Sequence, residues 1–233
     1  MQVDAVPNIP NLPELTNKKF TGKLFVIEGT DGSGRSTQIS LLSAWLEQRG
    51  YSVTHMGLRR SNLVSAQLEQ AKQGNTLMSL TMSLFYATDF YDQLINLISP
   101  ALGAGSIVLA DRYIYTLMAR DILRGVDRQW VESLYSLAIK PQGVFYLNVH
   151  TPRLIERTFQ KKGWLDYWES GMDLRLSSDI FTCFCRYQKR LRAEFRQMQK
   201  VHQFQIINGN RGIEEIQEDL REHLRQFLGA PTK

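Results

Sequence analysis

Residues 25–38 read FVIEGTDGSGRSTQ, and within them GTDGSGRS, Gly29 to Ser36, constrains the fold more than any other stretch. The run fits G-x-x-x-x-G-K-[ST] at every place but the seventh, where Arg35 stands instead of lysine. A buried strand is expected to end at Glu28 and a helix to begin near Arg35, the context such a loop requires. Glycines at 29, 32 and 34 let successive backbone N–H groups curl around a phosphate, and the following helix turns its positive end toward the same anion. The whole run Gly29, Thr30, Asp31, Gly32, Ser33, Gly34, Arg35, Ser36 and Thr37 is therefore a candidate triphosphate site. The alternative is a glycine-rich turn without a ligand. Ser36, with Thr37 beside it, offers the hydroxyl suited to a phosphate-bound Mg²⁺. Arg35 keeps a positive charge at the β/γ-phosphate position, but its planar fork is bulkier than an ammonium and bonds bidentately.

Short apolar runs alternate with helical stretches along the rest of the chain. Strands are expected at 23–28, 51–56, 106–111, 143–149 and 204–208. Helices are expected at about 35–49, 79–102 and 212–227, the first stopped by Gly50. Such alternation predicts a three-layer α/β fold, a five-stranded parallel sheet flanked by helices with right-handed crossovers, in which ligands gather at the carboxyl ends of the strands. Residues 1–19, with Pro7, Pro10 and Pro13 and no periodicity, read as a tail, and 20–233 as one domain.

The third strand ends in LADRY. Asp111 at its carboxyl end would lie beside the loop and can hold Mg²⁺ through water, while Arg112 would project toward the phosphates, where a fixed cation stabilises a transferring phosphoryl group. The net charge of +5 sits in one place: residues 153–200 hold eleven Lys/Arg against six Asp/Glu, whereas the remainder balances at 17 each. Arg186, Lys189, Arg190 and Arg196 recur at helical spacing and read as a solvated face. Lys161 and Lys162, beside Gly163, fall at a loop and suggest a basic flap over a polyphosphate; a nucleic-acid face is the other reading of this charge. Cys183 and Cys185 point about 200° apart on a helix, which suits ordinary reduced thiols rather than a disulfide or a shared metal. No apolar run reaches the roughly 18 residues of a membrane span, and no leader pattern opens the chain, so a cytoplasmic protein is expected.

Loop, DRY and basic flap together resemble nucleoside monophosphate kinases, and the details resemble the thymidylate kinase family from Lys23 to about Leu224. FVIEGTDGSGRSTQISLLSAWLEQRGY is similar to that family's opening signature, and KKGWLDYWES to its lid, here about 158–175. The resemblance implies ATP as phosphoryl donor with Mg²⁺ held by Ser36 and Asp111, and a nucleoside monophosphate, most simply dTMP, as acceptor. It implies that Asp31 reaches the acceptor sugar, Arg60 binds the acceptor phosphate and Tyr86 stacks on the acceptor base. Asp111, Arg112 and Tyr113 match the catalytic DRY, and Lys162 falls near a lid position where many members carry arginine. It also implies a homodimer, with no nucleic acid or membrane partner.

Four positions depart from the family pattern. Arg35 replaces lysine; Phe90 stands where members carry an arginine that meets the base. Arg120 and Asp121 stand where many carry an aromatic residue and a glutamine, and Asn148 replaces a frequent aspartate. An ionised Asp121 could accept thymine's N–H but would repel its carbonyls, unless Arg120 compensates. Two rival functions stay open from the sequence: a kinase for another acceptor, and a catalytically silent nucleotide-binding regulator of the same fold.

Overall fold

The computed structural model describes residues 19–73 and 78–228. Its five strands are β1 (Lys23–Glu28), β2 (Val53–Gly57), β3 (Ile107–Asp111), β4 (Gly143–Asn148) and β5 (Gln205–Asn208). They form one parallel sheet in the order β2-β3-β1-β4-β5. Every expected strand is present within two residues of its predicted ends. The tail expected at 1–19 lies outside the described residues except for Lys19.

β1 occupies the centre because its residues are apolar on both faces, as a doubly covered parallel strand requires. Leu24 and Val26 join one core cluster and Phe25 and Ile27 the other, the period-two alternation of a strand. On the second face lie α1 (Arg35–Glu47) and α9 (Ile213–Arg225), contributing Leu42, Leu46, Leu220 and Leu224. The first face carries α3 (Ser79–Gln93), α5 (Ile114–Leu123), α6 (Arg128–Leu134) and α8 (Ile180–His202), with Phe90, Leu117, Val131 and Phe195 buried there. Burying each such side chain stabilises the fold by roughly 1.5–3 kcal/mol.

The single helix expected over 79–102 is divided. α3 passes into a π-helical turn, Leu94–Ile98, and then into α4 (Ser99–Gly103). Pro100 has no N–H to give to the turn before it, which breaks the regular ladder and lets the wider turn form. Two further helices, α2 (Ser65–Gln73) and α7 (Thr151–Lys162), bracket the carboxyl ends of the strands. α7 stops at Gly163, whose φ of 76° closes the helix in the left-handed region. Val149 and Leu154 pack with Leu165 and Phe184, a small separate core that anchors α7 and the segment after it to α8. Arg186, Lys189, Arg190 and Arg196 all lie on the exposed face of α8, as their spacing implied. Cys183 is buried and donates its S–H to Gly171 O, while Cys185 lies on another face, half-buried.

Candidate active site

β1 and β3 are paired with Ile27 beside Asp111, and β2 and β3 with Gly57 beside Asp111. This register brings three chain reversals to one edge: the glycine loop after β1, residues 58–61 after β2, and Arg112 after β3. Gly32 and Gly34 have φ of 78° and 94°, conformations that side chains disfavour. Gly32 is also confined by α7, since a Cβ there would sit 2.9 Å from Thr158 Oγ1 and 3.0 Å from Leu154 O. The loop thus lies directly beneath the basic helix. Ser36 and Thr37 are exposed at the start of α1.

Arg35 does not extend away from the loop. Its side chain folds back across it: Nη1 donates to Gly29 O, to Thr30 O at 2.6 Å and to Ser33 Oγ at 3.2 Å, and Nε donates to Asp111 Oδ1 at 2.7 Å. The fork therefore ties the loop to β3, which a single ammonium could not do at both ends. Nη2 remains 4.0 Å from Asp31 Oδ1. Burial pushes the Asp111 carboxyl up, but Arg35 and Arg112 outweigh it and hold it below the usual carboxylate range.

Asp31 is the hub. Arg112 Nη2 donates to its Oδ1, and Arg120 Nη2 donates to its Oδ2 at 3.1 Å. Burial opposes its charge, yet Arg112, Arg120 and Arg35 hold it far down, so it is ionised. Arg112 itself has φ of 70°, a costly backbone for a residue with a side chain. Glu28 helps to fix it. This wholly buried carboxylate accepts from Tyr113 N at 2.9 Å, Thr116 Oγ1 at 2.5 Å and Thr116 N at 3.3 Å, so it caps the start of α5 directly after Arg112. Burial raises its pKa, with those hydrogen bonds and the two arginines pulling the other way.

Two cavities, each of about 710 Å³, flank this hub. One is lined by residues 31–38 together with Arg153, Arg157, Lys161 and Lys162 of α7. The other is lined by Asp31, Arg60, Tyr86, Arg112, Arg120 and Asp121, among others. Asp31 and Glu169 line both. In the first, Lys162 Nζ donates to Glu169 Oε1 and Oε2 at 2.7 and 2.8 Å, and Arg157 spans Ser33 O at 3.2 Å and Gly209 O at 3.1 Å. In the second, Arg60 is exposed and free to turn toward a ligand, but its loop is held. Asp89 of α3 accepts from Arg59 N and Ser61 N at 2.8 Å each, and Gln93 Nε2 donates to Gly57 O at 2.9 Å. Arg60 Nε would lie 3.0 Å from a Cβ at Gly57, so the bare glycine makes room for it.

Two expected acceptor contacts need correction. Phe90 is fully buried, edge-on to Tyr91 and Tyr113 at 5.2 Å and to Tyr135 at 5.7 Å, and Tyr113 is fully buried with its O–H donated to Ile139 O at 3.0 Å. Neither lines the cavity; together they form the aromatic layer behind its wall. Helical periodicity puts Phe90 on one face of α3, but that face points into the core, and Tyr113, extended just before α5, turns the same way. Conversely, the sequence reading overlooked Glu28, Arg153 and Arg157. Arg153, Arg157 and Lys161 recur every four residues and were detectable as one basic face of α7. The sign for Glu28 was a carboxylate closing an otherwise apolar strand.

A family profile described as thymidylate kinase matches residues 27–220. The chain is 38% identical over 208 residues to "Probable thymidylate kinase 2" of Saccharolobus solfataricus, covering 89% of this chain and 97% of that protein. It is 30% identical over 209 residues to "Probable thymidylate kinase" of Thermococcus gammatolerans, covering 85% and 94%. It is 28% identical over 173 residues to "Thymidylate kinase" of Brachyspira hyodysenteriae, covering 70% and 81%.

Proposed function

Since the chain belongs to the thymidylate kinase family, we propose how its two cavities divide the family's reaction. The protein is a nucleoside monophosphate kinase that converts dTMP and ATP to dTDP and ADP. The observation that carries the division is that Asp31 lines both cavities, so two ligands filling them would meet at that residue. The cavity under α7 takes ATP on residues 29–37, and the cavity between α3 and α5 takes dTMP on Arg60, Arg112 and Tyr86. The rivals, another acceptor or a silent regulator, are not favoured by relatives of these names.

An oxygen of the dTMP phosphate bonds to the γ-phosphorus of ATP as the bond to the β,γ-bridging oxygen breaks. Both partners are anions, so positioning and charge neutralisation do most of the work. Arg35 braces the loop around the donor. Arg60 and Arg112 hold the acceptor phosphate, Arg112 exchanging part of its contact with Asp31 for the ligand. Lys161 and Lys162 face the donor from the opposite side, and closure of the lid at about 158–175 excludes the water that would hydrolyse ATP. Mg²⁺ fits at Ser36 and Asp111: an exposed hydroxyl and a carboxylate that gives one oxygen to Arg35 line the same small cavity of about 410 Å³. A magnesium ion keeps several waters and needs few protein ligands; when bound it neutralises charge on the ATP phosphates. Tyr86 lines the acceptor cavity and supports the stacking role; Phe90 and Tyr113 support it only from behind.

No helix among the described residues is long and apolar enough to cross a membrane, which is in keeping with a cytoplasmic enzyme. The basic excess is divided between the lid and the solvated face of α8, and we assign neither to nucleic acid. One kinase domain spans 20–233. The outer face of α3 leaves Leu80 and Leu84 exposed, with Ile95 in the π-helical turn that follows, and this stripe supports a homodimer. The primary test is ADP release coupled to a panel of nucleoside monophosphates. A preference of tenfold or more for an acceptor other than dTMP would overturn the acceptor assignment.

A further inference from the structure

Asp121 is a carboxylate of the acceptor cavity that, among the described residues, forms no ion pair. It lines the cavity wall yet is only 5% exposed, and among the described residues its Oδ2 has no hydrogen-bond partner. The two arginines beside it, Arg120 on α5 and Arg124 just after it, are engaged elsewhere. Arg120 reaches Asp31, and Arg124 donates from Nε and Nη2 to Asp173 at 2.8 and 3.2 Å and from Nη1 to Arg120 O at 3.2 Å. Across the cavity wall stand Ser83 and Tyr86 of α3, Tyr135 just after α6, whose hydroxyl also lacks a partner among the described residues, and Asp89 further along α3. Tyr187 of α8 lies over Arg124, its ring 5.9 Å away. None of these is a cation placed to bond Asp121. A buried carboxylate without a paired cation lowers its energy by taking up a proton.

We propose that Asp121 meets the acceptor base as a neutral carboxylic acid, its O–H donating to a ring carbonyl of thymine and its C=O accepting from the ring N–H. An ionised carboxylate only accepts, but the protonated group offers one donor and one acceptor on adjacent atoms, the same pair a primary amide presents. Thymine's N–H and flanking carbonyl are the complementary pair. This reverses the expectation that Asp121 repels the base, and it needs no help from Arg120. It rests on the reading of the cavity as the dTMP site. Burial raises the Asp121 pKa to about 6, with Ser83, Arg124 and Arg120 only partly opposing it. The neutral form is therefore well populated at and below that pH and is lost as pH rises through it.

The test compares kcat/KM for dTMP between pH 5.5 and 8.5 in wild type and Asp121→Asn, at saturating MgATP. The asparagine amide keeps a donor and an acceptor but cannot ionise. Taking the ratio of the two profiles removes the ionisation of the dTMP phosphate itself, which also falls near pH 6. The ratio of wild type to Asp121→Asn should fall tenfold or more between pH 6 and pH 8, since the acid form declines about tenfold per pH unit above its pKa. A flat or rising ratio with dTMP still turned over would overturn the role of Asp121 and leave the kinase reading standing. Absence of dTMP turnover at every pH would remove both. Should the asparagine variant not fold, the infrared difference spectrum of wild-type protein on adding dTMP decides the matter. A protonated-carboxyl C=O band that shifts with dTMP at pH 6 and is weak at pH 8 supports the proposal, and its absence at pH 6 overturns it.

Discussion

Arg35 Nε donates to Asp111 Oδ1 at 2.7 Å, so the residue that departs from the usual phosphate-loop pattern is also the residue that joins the loop to the neighbouring strand. Arg35→Ala should remove both the loop brace and a charge at the donor, costing about 2–4 kcal/mol of transition-state stabilisation, or about 30- to 1,000-fold in kcat. Arg35→Lys should retain the loop carbonyl contacts, release Asp111 and leave turnover within about threefold of wild type or above it, the limit being about 0.7 kcal/mol. Steady-state ADP release with both variants checks this, and an alanine variant with wild-type rate would refute it.

Arg60 is the cleaner probe of acceptor-phosphate binding. It is exposed and, among the described residues, forms no ion pair, so Arg60→Ala should lower kcat/KM for dTMP by on the order of 100-fold while the melting temperature stays within a degree or two. Arg112 is half-buried and shares Asp31 with Arg120, so Arg112→Ala should reduce activity at least as far and cost stability as well. Thermal melts alongside dTMP kinetics separate the two cases. Equal kinetics for Arg60→Ala and wild type would end the assignment.

Gly32→Ala should disturb the lid more than the core. The added methyl would meet Thr158 Oγ1 at 2.9 Å and Leu154 O at 3.0 Å on α7, at a φ of 78°. The left-handed backbone alone costs roughly 1–2 kcal/mol with a Cβ present, and relief requires α7 to lift from the loop. A rise in KM for ATP of tenfold or more is expected, with the KM for dTMP changing less. ATP titrations followed by Lys162-proximal fluorescence at Trp164 would show whether the lid has moved; an unaltered ATP KM would refute the contact.

Asp121 also sets a pH dependence of stability. Its folded pKa of about 6 lies above the ordinary carboxylate value, so the native state holds a proton that the unfolded state has released. Its contribution is neutral below the unfolded pKa, becomes a destabilisation that grows as pH rises from about 4 to about 6, and levels off above that. At pH 8 the penalty approaches roughly 2–3 kcal/mol. Asp121→Asn should therefore raise stability at pH 8 relative to pH 4, measured by urea unfolding at both. A constant difference between the two proteins across that range would contradict the linkage.

The exposed stripe on α3 makes a separate prediction about assembly. Leu84→Lys places a charge among Leu80, Leu84 and Ile95, which are 52%, 46% and 43% exposed in the single chain. If two copies cover this face, light scattering of wild type should give a dimer and of Leu84→Lys a monomer. A wild-type monomer at all concentrations would dismiss the homodimer.

The sequence by itself determined the phosphate loop and the alternation of strands and helices, because glycine spacing and period-two burial are local properties of the chain. It also marked Asp111 and Arg112 as neighbours of the loop, since residues at the carboxyl ends of adjacent parallel strands converge. Only the tertiary structure decided where the long side chains go. Arg35, Arg112 and Arg120 could each have faced a ligand, but carboxylates from distant segments compete for their forks, and Asp31 receives Arg112 and Arg120 while Asp111 receives Arg35. Phe90 sits on the right helix but turns inward, because its ring packs among Tyr91, Tyr113 and Tyr135, contacts that bring distant segments together and that the sequence does not encode locally. Asp121 shows the same dependence most directly: one position among arginines reads as an ordinary charged group in the sequence, yet it keeps its proton up to about pH 6 because those arginines bind elsewhere and burial disfavours its charge.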